Sequence, residues 1–143
     1  ERSQHLMSLG IPLNTDSTLK GQTVFLAERC GELMHDNIIT DRTVLDVMAF
    51  TLNANSIPHQ DKTAFEEYAN EFIREYDYIF YISPHGLEIE DNGVRETDEH
   101  YRDLIDFTIT TLIKRHGHKA GSIDKISGST DERIQQILTI TGL

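Results

Sequence analysis

Asp41 and Arg42 are the pair of residues in this chain most suited to chemistry. A carboxylate at that position can accept a proton from a substrate hydroxyl or hold a metal-bound water. The neighbouring guanidinium can grip a phosphate or carboxylate through two parallel hydrogen bonds. Asp46 follows Arg42 by one helical turn, on the same face, where it can orient the arginine. A structural reading competes with this one, because Asp is a favoured helix N-cap and Arg42–Asp46 is a plausible surface ion pair. Spacing alone leaves both open. Arg95 and Arg102 form a second candidate pair, in or beside a loop crowded with Glu88, Glu90, Asp91 and Glu96. They read either as a clamp on negative charge or as solvated partners of Glu96, Asp98 and Glu99. Gly128 and Ser129 follow the last predicted strand in a turn at its carboxyl end, where ligands bind in parallel sheets. The same turn is also a simple strand-to-helix connection, with Ser129 as cap.

Other reactive side chains have structural explanations. His116 and His118 lack the cysteines and carboxylates of a zinc set, and His116 suits a helix C-terminus as a cation. Cys30 falls in a helical pattern with Phe25, Leu26 and Leu33, which makes it core. The acidic loop lacks the spacing of a calcium-binding EF-hand. No metal site is predicted from these residues.

The elements that must position the candidates alternate between strand and helix. Asn37–Thr40 is a short β-branched run ending at Asp41, and it predicts a buried strand. Tyr76–Ile82 predicts a second strand, stopped by Ser83-Pro84, and Ser122–Ile126 a third. Helices are expected over Gln22–His35, over a nearly all-apolar Thr43–Leu52, and along the stripe Phe65, Tyr68, Ala69, Phe72 and Ile73 with Asp61 as its N-cap. The stripe Tyr101, Leu104, Ile105, Thr108 and Leu112 predicts another. Its acids at Asp98 and Glu99 and bases at Lys114–His116 follow the helix dipole, with Gly117 as a closing glycine. Ser129 and Glu132 have capping-box spacing before a last helix. The alternation predicts a parallel sheet with helices on both faces, and places Asp41 and Arg42 at its carboxyl edge beside a cleft.

Composition narrows the partners. The 143 residues fit one domain spanning 1–143. Lys plus Arg number 13 and Asp plus Glu 24, giving a net charge of −11. That balance argues against duplex nucleic acid, whose binding needs many cations, and suits a small-molecule substrate. No run reaches the length of a membrane span. A single cysteine excludes an internal disulfide framework and points to a reducing compartment, the cytoplasm. No signal peptide is visible.

Strand, then Asp41-Arg42, then a helix running Leu45-Asp46-Val47-Met48-Ala49-Phe50 resembles the DR motif of P-loop nucleoside and nucleotide kinases. The wider pattern resembles small ATP-binding proteins that include the nicotinamide riboside kinase domain of bacterial NAD-salvage proteins. Asp91-Asn92-Gly93-Val94-Arg95 followed by Arg102 matches their lid, and Ser127-Gly128-Ser129 with Arg133 matches their last strand, turn and helix. The resemblance covers roughly residues 1–140. It implies a three-layer P-loop NTPase-type α/β fold with a lid near 84–102, and ATP with Mg2+ as cofactors. It implies catalytic roles for Asp41, Arg42, Arg95 and Arg102, substrate contacts from Arg2 and Asp46, and nucleotide contacts from Gly128, Ser129 and Arg133. Arg2 is carried over from a Glu-x-x-Arg segment of which only the arginine is visible. The phosphate-gripping GxxxxGK[ST] motif is not among these residues, and Lys20-Gly21-Gln22-Thr23 is a poor substitute. It is expected upstream of Glu1. The activity implied is phosphoryl transfer from ATP to a small hydroxyl- or phosphate-bearing acceptor. The alternative is a non-catalytic ATP/GTP-binding switch or an interaction module controlling a partner protein.

Overall fold

A computed structural model of the protein describes residue 5 and residues 7–85 and 98–143. Those residues form five helices and two strands. Helix α1 is Leu19–Glu32, α2 is Val44–Leu52 and α3 is His59–Ala69, followed by strand β1, Tyr78–Ile82. Helix α4 is Glu99–His116, β2 is Ser122–Ile126 and α5 is Thr130–Thr141. Short 3-10 turns occupy Asn14–Asp16, Asn70–Glu75 and Gly117–Lys119.

Local chemistry accounts for most helix ends. Thr18 caps α1 by accepting from the Gly21 N–H, and Asp98 caps α4 by accepting from the His100 N–H. Helix α3 starts at His59, after Pro58, rather than at an Asp61 cap. Asp61 instead lies in the first turn, where the helix dipole favours an acid. Gly117 is not the left-handed cap its position suggests, since its φ is −60° and the chain continues into a 3-10 turn. The reason for glycine there is space. A Cβ would lie 2.9 Å from Ile123 Cδ1, where the 3-10 turn packs against β2.

Val44, Met48, Ala49, Ala69, Ile73 and Leu112 are fully or almost fully enclosed at the centre of the core. Helix α2 is the axis of this core, apolar on nearly every face, and it packs on α1, α3 and α4. Of the predicted α3 stripe, Phe65, Ala69 and Ile73 turn inward. Tyr68 points out and meets Phe72 edge-on at 5.3 Å. On α4, Tyr101, Ile105 and Leu112 face the core and Leu104 faces solvent. Cys30 is half-buried against the core, as its spacing implied, and burial pushes its thiol pKa up.

The sheet corrects the predicted fold class. β1 and β2 pair in parallel, with Tyr78 opposite Ser122 and Ile82 opposite Ile126. No third strand joins them among the described residues. A mainly helical α/β domain with a two-stranded parallel sheet therefore replaces the three-layer P-loop NTPase sheet with helices on both faces. The predicted strand at Asn37–Thr40 does not form. Asn37 takes a left-handed φ of 55° and Arg42 one of 79°, so the run is bracketed by turns. The Thr40 hydroxyl donates to the Arg42 carbonyl, and Ile39 is 94% exposed. A β-branched run without a ladder partner gains nothing from its strand propensity.

Candidate functional site

The turn from Thr40 to Val44 is an irregular segment braced by bonds from distant parts of the chain. Arg42 has a left-handed backbone, a conformation that costs a residue with a Cβ roughly 1–2 kcal/mol. Contacts from three directions hold it there. Arg29, on α1 and 7% exposed, donates from Nη1 to the Asp41 carbonyl at 2.9 Å. Its Nη2 pairs with Glu32 Oε1 at 3.3 Å. From the other side Tyr76, just before β1, accepts from the Val44 N–H at 3.2 Å. Burial pushes the Tyr76 hydroxyl pKa up to about 12, so it stays protonated. Within the turn, Asp46 Oδ2 accepts from the Thr43 N–H at 2.7 Å, and Thr43 Oγ1 accepts from the Leu45 N–H at 3.1 Å. Together these form the capping box that opens α2.

The side chains above this frame are exposed and differently directed. Arg42 lies over the Phe50 ring, 5.6 Å from its centre. Such a contact is worth about 0.5–1 kcal/mol at an exposed site. Phe50 in turn meets the Tyr101 ring at 6.3 Å, which brings the start of α4 beside the turn. The expected Arg42–Asp46 ion pair is absent, because Asp46 is turned to the Thr43 amide and Arg42 to Phe50. Desolvation raises the Asp46 carboxyl pKa, opposed by its bond from the Thr43 backbone and the nearby Arg42 charge. Asp41 is exposed.

The other predicted residues fall elsewhere. Arg102 is half-buried on the first turns of α4, with Nε 3.8 Å from Asp103 Oδ1. Arg2 and Arg95 lie outside the described residues, as does most of the predicted lid. Gly128, Ser129 and Arg133 form a self-contained unit at the carboxyl end of β2. Gly128 has a φ of 97°, and Ser129 and Glu132 cap each other in a second box. Arg133 donates to the Ser129 carbonyl and the Thr130 hydroxyl. The Asp41–Arg42 turn is tied instead to Tyr76, at the amino end of β1. The strands are parallel, so the two predicted halves of one nucleotide site lie at opposite ends of the ladder.

Among the described residues, the named candidates form neither a phosphate cradle nor a metal site. Lys20-Gly21-Gln22-Thr23 is a closed turn of α1, not a phosphate loop. A Cβ added at Gly128 would meet Glu132 Cδ at 3.1 Å, so that turn is filled by its own helix. Among the described residues no group of three His, Cys, Asp or Glu side chains converges on a metal position. His116 bonds Glu66 rather than His118, at 2.8 Å, beside a two-pronged Arg115–Glu66 pair. Burial alone would raise the Glu66 pKa, but the bonds from His116 and Arg115 bring it below the usual value.

Arg29 and Tyr76 are the site residues that sequence reasoning missed. Arg29 shares a helical face with Gln22, Leu26 and Leu33, and a charge on an apolar stripe was the available signal. Tyr76 was legible only as the first residue of a strand. No helix among the described residues is long and apolar enough to cross a membrane. The class these elements define is a mainly helical α/β domain built around a buried helix with a braced N-terminal turn. No known protein family, no curated protein and no solved structure matches the chain.

Proposed function

We propose that this protein takes part in phosphoryl transfer to a small hydroxyl- or phosphate-bearing acceptor of the nucleoside or nucleotide class. The Asp41–Arg42 turn supplies the acceptor half of the reaction. The observation that carries the reading is the left-handed Arg42, braced by Arg29, Tyr76 and the Thr43–Asp46 box. Backbone strain of this kind persists only where the surroundings enforce it, and it concentrates at functional turns. The frame leaves the Asp41 carboxylate in solvent, free to take the proton of an acceptor hydroxyl. Arg42, resting on Phe50, presents a planar fork suited to a phosphate or to charge developing on one. Neither a triphosphate cradle nor a metal cluster is found among the described residues, so no donor step is assigned to them.

The reading is tested by titrating the protein with a nucleoside monophosphate and with the parent nucleoside in a calorimeter. The monophosphate should bind more tightly, and Arg42→Gln should remove most of that advantage, about tenfold or more. Equal affinity for both compounds in the wild type contradicts the reading. The second reading, an interaction module, is favoured by one specific observation, the apolar side chains exposed along β1 and the 38–39 run.

A further inference from the structure

The two-stranded sheet is unfinished in a way that predicts its partner. Parallel sheets are normally covered on both faces and continued on both edges. Here β2 occupies one edge of β1, and no strand occupies the other among the described residues. On the outward face of β1, Tyr78 and Ile82 are 45% and 42% exposed. The Tyr78 and Phe80 rings stack there, 6.3 Å apart and parallel within 1°. A second apolar run, Ile38-Ile39, is also exposed, and the turn that follows it is bonded to Tyr76 at the start of β1. An edge of this kind is a template for one more strand.

We infer that the edge of β1 away from β2, which no strand occupies among the described residues, docks one extended segment of a partner protein, rich in β-branched residues and led by Lys or Arg. Charge selects this occupant. Glu75 and Asp77 are exposed at the amino end of β1, and exposed Asp41 lies on the turn tied to Tyr76. Of the cations nearby, Arg74 is paired with Glu71, and Arg42 is a positive charge set against these three acids. A strand added parallel to β1 brings its amino end to these acids, so a basic lead is complementary. A second copy is disfavoured, because each chain carries a net charge of −11. Main-chain bonds to β1 supply affinity, and alternate side chains packing on Tyr78, Phe80 and Ile82 supply selectivity.

The probe is a synthetic peptide of about eight residues, a usual strand length, with two lysines followed by alternating valine and threonine. It is compared with a version carrying two glutamates in place of the lysines. A third version has N-methyl groups on alternate backbone nitrogens, which removes ladder donors without changing the side chains. Fluorescence anisotropy should show the lysine-led peptide binding at least about tenfold more tightly than the glutamate-led one, a gap that narrows with salt. The N-methylated peptide should not bind, and the lysine-led peptide should slow amide exchange of β1. The paired change Tyr78→Lys and Ile82→Lys should abolish binding while the circular dichroism stays native, since both side chains are exposed. Failure of the lysine-led peptide to bind overturns the inference. So does equal binding of the N-methylated peptide, or sedimentation as a dimer with β1 amides already protected.

Discussion

Two helices in this protein open with the same local motif, and the two have opposite surroundings. Thr43 and Asp46 cap α2, and Ser129 and Glu132 cap α5, each pair bonding reciprocally. Around the first, Arg29 and Tyr76 reach in from distant parts of the chain and α2 is buried. Around the second, every bond comes from its own helix and turn, and α5 has no buried residue. The carboxyl groups register the difference. Desolvation raises the Asp46 pKa, whereas the Ser129 backbone and hydroxyl lower that of exposed Glu132. A capping box read from sequence therefore fixes a helix start, while burial decides what its carboxylate does.

The sharpest break of this comparison is removal of the long-range braces. Arg29→Ala should cost about 2–3 kcal/mol in denaturant unfolding, because it removes the ion pair to half-buried Glu32 and the bond to the Asp41 carbonyl. Arg133→Ala, which removes an exposed arginine bonded to the other cap from its own helix, should stay within about 0.5 kcal/mol. Next in size, Thr43→Ala should cost about 1–2 kcal/mol and Ser129→Ala about half that, both read as shifts in denaturant midpoint. The smallest effects are in pH dependence, and their signs differ. The folded-state pKa of Asp46 is raised, so ionising it costs stability, and the wild type should gain on Asp46→Asn as pH falls from 7 towards the ordinary carboxylate value of about 3.9. The folded-state pKa of Glu132 is lowered, so its contribution is present above the ordinary value and lost as pH falls through the folded one. The wild type should lose on Glu132→Gln over that acid range. Thermal melts of the three proteins across pH check both signs, and parallel curves would remove the contrast between the boxes.

Helices and the two strands were legible because their signals are local. The apolar stripes of α2 and α4, the Ser129–Glu132 box, the aromatic and isoleucine run at 78–82 and the weaker run at 122–126 all decide structure within a few residues. The run Asn37–Thr40 carried the same β signal and failed, because a strand also needs a neighbour. The left-handed Arg42 was invisible, since arginine carries no sequence signal for that conformation. The Arg29–Asp41 and Tyr76–Val44 bonds span distant segments, so no spacing rule reaches them. Asp41, Arg42 and Asp46 lie on one turn and the helix it opens, but their wiring was not legible. Asp46 braces the backbone instead of the arginine.

The central claim is that Asp41 takes the proton of an acceptor hydroxyl during phosphoryl transfer. It is tested most directly by following the labelled γ-phosphate of ATP into a panel of nucleosides and nucleotides, using the full-length protein and its Asp41→Asn variant. Acceptor-dependent transfer by the wild type, reduced about a hundredfold or more by Asp41→Asn with the melting temperature unchanged, is the predicted result. Transfer that the variant performs at the wild-type rate, or no transfer to any acceptor by the wild type, contradicts it.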